Sequence, residues 1–84
     1  MVTITNIKVI KDFVGEKEWL AEVGNIGFVK IVYKDCCLEV ELASALEDFD
    51  NDDTTELYYE EIFMMEEKLT LKFLLPYLGL ILQQ

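Results

Sequence analysis

The sequence predicts an α+β fold: mainly antiparallel β-sheet of about five to six strands, with one helix near residues 54–68. Two observations predict the sheet. Short segments rich in Val, Ile and aromatic residues alternate apolar with polar positions, and Gly and Asp turn signals separate them. A third observation predicts the helix, because residues 54–68 combine helix formers with apolar side chains at helical spacing.

The length and composition indicate a single small acidic domain over residues 1–84. A chain of 84 residues is too short to build two hydrophobic cores. Apolar residues make up 52% of the chain, and the formal net charge is −10. One well-filled core with an acidic surface is therefore expected.

The N-terminal third predicts two strands. Thr3–Phe13 is rich in Ile and Val, and its alternation slips near Asn6, which predicts a bulge or an early break. A turn is expected over residues 15–17. Glu18–Val23 alternates regularly, and its predicted inward positions are Trp19, Ala21 and Val23.

The next segment predicts two more strands joined by tight turns. The sequence "GNIG" at 24–27 tolerates positive φ, "FVKIVY" at 28–33 reads as a buried strand, and Lys34 and Asp35 form the next turn. The strand "CCLEVEL" follows. Its predicted inward residues are Cys36, Leu38, Val40 and Leu42, and its outward residues are Cys37, Glu39 and Glu41.

The helix prediction covers Thr54–Lys68. Thr54 is a suitable N-cap, and Glu in the first turn favours the positive end of the helix dipole. The alternative for this segment is a β-hairpin that turns at Glu66 and Glu67. The apolar residues that favour the helix are Tyr58, Ile62, Met65 and Leu69. Beyond them, residues 69–75 alternate as a strand that Pro76 ends.

The available side chains argue against an enzyme. The chain has no His, all seven basic residues are Lys, and its single Ser44 has no candidate base nearby in the sequence. No phosphate-binding glycine motif is present. Paired carboxylates such as Glu60 and Glu61 are the remaining catalytic option, and such pairs more often lie on a solvated surface. We expect no catalytic activity and no cofactor.

The stretch "EDFDNDDTTE" at residues 47–56 invites comparison with a calcium-binding EF-hand. That loop needs Gly at position 6, a bidentate acid at position 12 and a helix on each side. Counting from Asp50 places Thr55 at position 6, and counting from Asp48 places Asp53 there and Tyr59 at position 12. The preceding segment also predicts a strand. We therefore expect no specific metal site.

Cysteine usage and hydropathy predict a cytoplasmic protein. Cys36 and Cys37 are adjacent, so pairing them would require a strained ring, and no further cysteine exists. The N-terminal residues lack the features of a signal peptide. The longest apolar run, residues 69–82, contains Lys72 and Pro76 and is shorter than the ~20 residues of a membrane span.

The distribution of charge is the most informative feature for function. Residues 1–34 contain five Lys and four acidic residues, whereas residues 35–67 contain thirteen acidic residues and no basic one. Such a segment repels phosphate groups and attracts cationic partners. We therefore expect an acidic protein-binding module, an inhibitor or neutralising partner of a basic protein that itself can bind nucleic acid.

In size and charge the chain resembles acidic cytosolic inhibitors that occupy nucleic-acid-binding clefts, and acidic immunity or antitoxin proteins. The expected partner is a basic protein surface, with no direct nucleic acid and no membrane contact. The alternative is a structural or assembly protein that forms a homo-oligomer, such as a homodimer, through apolar surface, its acidity serving solubility. The predicted partner-binding residues are Glu47, Asp48, Phe49, Asp50, Asp52, Asp53, Glu56, Tyr58, Tyr59, Glu60 and Glu61.

Overall fold

Five antiparallel strands form one sheet in the computed structural model, which describes residues 3–61 and Pro76. Their order in space, β1-β2-β3-β4-β5, is their order along the chain. A 3₁₀ turn at Leu46–Phe49 lies in the connection between the last two strands. The predicted antiparallel sheet is confirmed. The strands are β1 (Ile4–Phe13), β2 (Glu16–Val23), β3 (Gly27–Lys34), β4 (Cys37–Ala43) and β5 (Thr55–Glu61).

The predicted helix is wrong over the part of it that the structure describes, because Thr55–Glu61 is a strand paired with β4. The register shifts between the pairs Val40–Tyr58 and Glu41–Glu56, so Leu57 is the extra residue of a β-bulge. Leu57 and Tyr58 both pack against the core as a result. These two adjacent apolar residues break the strict alternation that would have indicated a strand.

The remainder of the predicted helix, with the alternative turn at Glu66 and Glu67, lies outside the described residues. The strand predicted at 69–75 lies outside them as well. Within the described part, the fold is sheet-dominated and the 3₁₀ turn at Leu46–Phe49 is its one multi-residue helical element.

One face of the sheet carries the hydrophobic core. Alternate residues of β2, β3 and β4 are buried there, with exposed fractions of 5% or less. This confirms the inward positions predicted for β2 and, in β4, for Leu38 and Val40; Leu42 is half-buried against the same cluster. We call this side the core face and the other the open face. The core-face residues that are buried are Trp19, Ala21, Val23, Val29, Ile31, Tyr33, Leu38 and Val40.

Strand β1 is irregular where the sequence predicted it. Its register against β2 shifts between Thr5 and Lys8, and Asn6 adopts a φ of 51°. The Asn6 side-chain amide donates a hydrogen bond to the Glu22 carboxylate of β2. Asparagine tolerates this left-handed conformation better than most residues, so the bulge is encoded locally. It confirms the break in alternation near Asn6.

The turn between β3 and β4 corrects the prediction for Cys36. Residues 35 and 36 connect the paired residues Lys34 and Cys37, and both have positive φ, 53° for Asp35 and 61° for Cys36. Positive φ at both central residues is the requirement of a type I′ hairpin turn. Cys36 therefore lies in the turn instead of on the inward face of β4. The strand begins at Cys37, one residue later than predicted, and Cys37 lies on the outward face as expected. Both thiols are free and half-buried.

Replacing Cys36 with Gly should stabilise the protein. The substitution relieves about 1–2 kcal/mol of left-handed strain and loses roughly 0.5–1 kcal/mol to the greater freedom of Gly in the unfolded chain. We expect the free energy of unfolding, measured by urea denaturation, to rise by about 0.5–1 kcal/mol. The matched control is Cys36→Ser, which removes the thiol and keeps Cβ. Equal stability of the two variants would show that the turn is not strained.

Gly27, at the start of β3, is required by close packing. Its φ is 150°, and a Cβ built there would collide with the carbonyl oxygen of Ala43 on β4 and lie 3.0 Å from Cα of Ser44. Gly24, in the preceding turn, has a φ of 47° and open space around the same position. Of these two glycines, Gly27 alone has both a positive φ and a backbone atom in contact with the position that a Cβ would occupy.

The variant Gly27→Ala should be much less stable than Gly24→Ala. The first must move β4 as well as adopt a rare conformation, at a combined cost of roughly 2–4 kcal/mol. The second carries conformational strain alone, about 1–2 kcal/mol. Thermal unfolding followed by circular dichroism measures both. Similar melting temperatures for the two variants would contradict the close approach of the β3 start to β4.

Candidate functional site

Most acidic residues lie in the half of the sheet that contains β4 and β5. Residues 35–61 contain eleven of the seventeen Asp and Glu residues and no Lys. They form the turn before β4, then β4, its connection to β5, and β5, and the two strands are neighbours in the sheet. Residues 3–34, which form β1, β2 and β3, contain five Lys and four acidic residues. The charge separation of the sequence thus becomes a charge gradient across the sheet.

Both ion pairs found among the described residues lie in the β1–β2 hairpin. Lys11 Nζ lies 3.1 Å from Glu16 Oε1, and Lys17 Nζ lies 2.5 Å from Asp12 Oδ1. The hydrogen bond from Lys11 lowers the pKa of Glu16, and the same contact raises the pKa of Lys11. Neither pair involves an acidic residue of β4, β5 or their connection. Acids near β1 are therefore neutralised locally by their neighbours.

Four carboxylates form a row on the open face, which we call the carboxylate row: Glu39 and Glu41 of β4, and Glu56 and Glu61 of β5. Glu41 pairs directly with Glu56, whereas Glu39 pairs with Tyr59. Directly paired residues project from the same face of a sheet. The hydrogen bond with Glu41 raises the pKa of Glu39, and burial and charge repulsion raise it further. Glu39 therefore holds its proton more strongly than a free carboxyl does, chiefly because its protonated form is hydrogen-bonded to Glu41.

The connection "EDFDNDDTTE" is held by its own hydrogen bonds. The Asp48 carboxylate accepts one from the Ala45 N–H at 3.2 Å, and the Asp53 N–H donates to the Asp48 carbonyl at 2.9 Å. Strands flank this connection on both sides, which excludes the helix–loop–helix frame of an EF-hand. Asp48 is half-buried. The exposed acidic residues of the connection are Glu47, Asp50, Asp52 and Asp53.

The three predicted aromatic anchors have different environments. The Phe49 ring is half-buried, and the Lys30 ammonium lies 5.0 Å from its centroid, a cation–π distance. Tyr58 packs against the core, and its hydroxyl donates to Glu60. Tyr59 is 56% exposed on the open face. Its hydroxyl lies 3.2 Å from Cys37 Sγ, and that hydrogen bond is the main cause of its raised pKa.

The predicted site residues therefore divide between two faces. Because Tyr58 and Tyr59 are neighbours in a strand, they point in opposite directions, and Glu60 follows Tyr58 to the core face. Glu56, Tyr59 and Glu61 lie on the open face. The partner-binding role of all eleven residues stays a prediction.

Sequence reasoning missed Glu39, Glu41 and Lys30 as part of this surface. The alternation of "CLEVEL" placed both glutamates outward, so the signal was present. The two glutamates were not assigned to the site because residues 54–68 were predicted to be a helix. With that helix, β4 had no neighbouring acidic strand. Pairing β5 with β4 adds Glu56, Tyr59 and Glu61 to the same surface.

Within residues 3–61 and 76, no cluster of three or more His, Cys, Asp or Glu side chains has the arrangement needed to hold a metal ion. In the same part of the chain, no helix is long and apolar enough to cross a bilayer. Comparison with protein-family models, curated protein sequences and solved structures gives no significant match. The geometry and charge of the open face are therefore the basis for assigning a function.

The crowding at Glu39 predicts a pH-dependent stability. A carboxyl pKa raised above its ordinary value of 4.5 stabilises the folded state below that value, and this stabilisation is lost as pH rises through the folded pKa. Glu39→Gln should remove this dependence and raise the free energy of unfolding at pH 7 by roughly 0.2–1 kcal/mol.

Urea denaturation from pH 4 to pH 7 provides the measurement, and Glu47→Gln is the matched control. It makes the same charge change at an exposed position outside the carboxylate row. If the two variants have parallel stability curves, Glu39 and Glu41 do not interact as described.

Proposed function

We propose that this protein is a small acidic protein-binding module that attaches to a basic protein surface as an inhibitor or neutralising partner. The observation that carries the proposal is the concentration of ten acidic residues, with no Lys, in β4, β5 and their connection. Neighbouring strands are about 4.8 Å apart, which is less than the ~8 Å Debye length at physiological salt. The acidic residues of the two strands therefore act together on an approaching charge.

The nature of the partner follows from the sign and density of this charge. A strongly negative surface without Arg repels the phosphates of DNA and RNA, so direct nucleic-acid binding is disfavoured. A protein that binds nucleic acid presents Lys and Arg at the spacing of phosphates, and a row of carboxylates meets the same groups. The module would then occupy a nucleic-acid-binding surface as a mimic of the phosphate backbone. Its role is binding, with no catalytic step.

A second candidate function, assembly into a homo-oligomer, is favoured by a different observation. The end of β1 and the turn after it expose large apolar side chains: Val9 is 60% exposed, Phe13 64% and Val14 93%. An exposed apolar strand is a common self-association surface. Apolar self-association persists at high salt, whereas binding through the carboxylate row weakens as salt rises. Sedimentation at low and high salt separates the two functions.

Removing the carboxylate row should slow association with a basic partner. The test variant is E39Q/E41Q/E56Q/E61Q, and the matched control is D12N/E16Q/E18Q/E22Q, which changes the net charge equally but in β1 and β2. Basic proteins retained from the source extract by the immobilised wild type are purified, and association rates are measured against ionic strength. We expect the row variant to associate roughly tenfold more slowly at low salt, with a flatter salt dependence.

The control variant should keep at least most of the wild-type rate. Equal slowing of both variants would show that net charge acts without a defined surface. Retention of no basic protein, together with an oligomer that is stable in high salt, would overturn the proposal in favour of self-assembly. Circular dichroism of both variants confirms that each is folded.

A further inference from the structure

A groove on the open face lies beside the acidic surface. Its volume is about 560 Å³, within the usual range of ~300–1,000 Å³ for ligand sites. Leu20 and Phe28, on the neighbouring strands β2 and β3, form its apolar floor. The β1 bulge at Asn6 and Ile7 forms one wall, and Leu46 of the 3₁₀ turn lines it as well.

Local structure holds both sides of this groove in place. The Asn6 amide is hydrogen-bonded to Glu22, which keeps the β1 bulge against β2. The 3₁₀ turn is anchored by the bond from the Ala45 N–H to the Asp48 carboxylate. Leu46 is nevertheless 48% exposed. An exposed leucine beside an apolar floor leaves room for another apolar side chain between them.

The groove and the carboxylate row share one face at a fixed separation. Leu20 pairs with Lys30, and Lys30 pairs with Glu41, so all three project from the open face. Leu20 and Glu41 are two strands apart, which corresponds to about 10 Å. Lys30 lies between them, with its ammonium over the Phe49 ring. The apolar groove and the carboxylate row therefore lie on the same face, and the strand between them, β3, contributes Lys30 to that face.

We propose that the groove and the carboxylate row together dock an amphipathic basic segment of the partner protein. One apolar side chain of that segment enters the groove between Leu20, Phe28 and Leu46, and its Lys or Arg side chains lie along Glu39, Glu41 and Glu56. The charge on either side of the groove fixes the orientation.

That orientation follows from the residues at the two ends of the surface. The groove lining contains one positive and one negative side chain, Lys8 and Glu22, whereas the carboxylate row has four acidic residues, so the basic part of the segment points toward β5. The inference rests on the proposed function and adds the apolar anchor to it.

Three synthetic peptides of about 16 residues test the inference. The first places Leu and Lys seven residues apart on one helical face, a separation of about 10 Å at 1.5 Å per residue. The second replaces each Leu with Ala, and the third replaces each Lys with Gln. Binding to the intact chain is measured by surface plasmon resonance, with dissociation rates recorded at two salt concentrations.

We expect the first peptide to bind, and the other two to bind about tenfold more weakly or worse. Leu46→Asn should speed dissociation of the first peptide by about the same factor. Val14→Asn, at an apolar position that is 93% exposed and far from the groove lining, should not change it.

The possible failures are distinguishable. If the first two peptides bind equally and Leu46→Asn has no effect, the groove inference is overturned and the acidic-module proposal stands. If the first and third bind equally, the groove is an apolar site unrelated to the acidic row, and the inference is overturned. If neither Lys-containing peptide binds at low salt, the inference and the proposed function are both overturned.

Discussion

Short turns constrain the first four strands to lie side by side in the order in which they occur in the sequence. Two residues join β1 to β2 and β3 to β4, and three join β2 to β3. Connections this short allow only antiparallel neighbours. The longer connection, residues 44–54, returns the chain so that β5 pairs with β4. The acidic segment therefore forms two neighbouring strands, and the edge of the sheet at β1 takes its composition from residues 3–34.

The placement of acidic residues on both β4 and β5 lowers the stability of the folded protein. Glu41 lies directly opposite Glu56, and like charges in that position destabilise a sheet by roughly 0.2–1 kcal/mol per pair. A sequence under selection for stability alone would place Lys on β5, opposite the glutamates of β4. The fully buried residues Val23, Val29, Ile31 and Val40 supply the compensating hydrophobic stabilisation on the core face. An energetically unfavourable charge arrangement on an otherwise well-packed sheet is typical of a surface selected for binding.

Much of this fold was predictable, because the first four strands follow local rules. Alternation identified the core face of β2 and β4, and the irregularity at Asn6 identified the β1 bulge. Strand β5 was not predictable in the same way. Its bulge at Leu57 places two consecutive apolar side chains against the core, which breaks the alternation by which a strand is recognised. The position of Cys36 in the turn was not predicted for a different reason. A non-glycine residue at positive φ has no strong sequence signal.

The error at β5 also changed the expected site. A helix over residues 54–68 would have placed the predicted contact residues along one contiguous stretch of chain. The strand instead separates Tyr58 and Glu60 from Tyr59 and Glu61, and brings the second pair beside Glu39. Pairing between strands thus assembles the surface from residues that are about twenty positions apart in the sequence, which periodicity within one segment does not reveal.

In the proposed complex, the two parts of the open face would act over different distances. Charge on the carboxylate row extends over about 8 Å at physiological salt, before the surfaces touch, so it would govern the rate and orientation of encounter. The groove floored by Leu20 and Phe28 would contribute only on contact, when water leaves its apolar surface, so it would govern the lifetime of the complex. Because the row and the groove lie on one rigid sheet, the approach that satisfies the charges also aligns the apolar anchor. A partner with positive charge alone would be drawn to this surface and leave it quickly, whereas a partner with charge and a correctly spaced apolar side chain would remain.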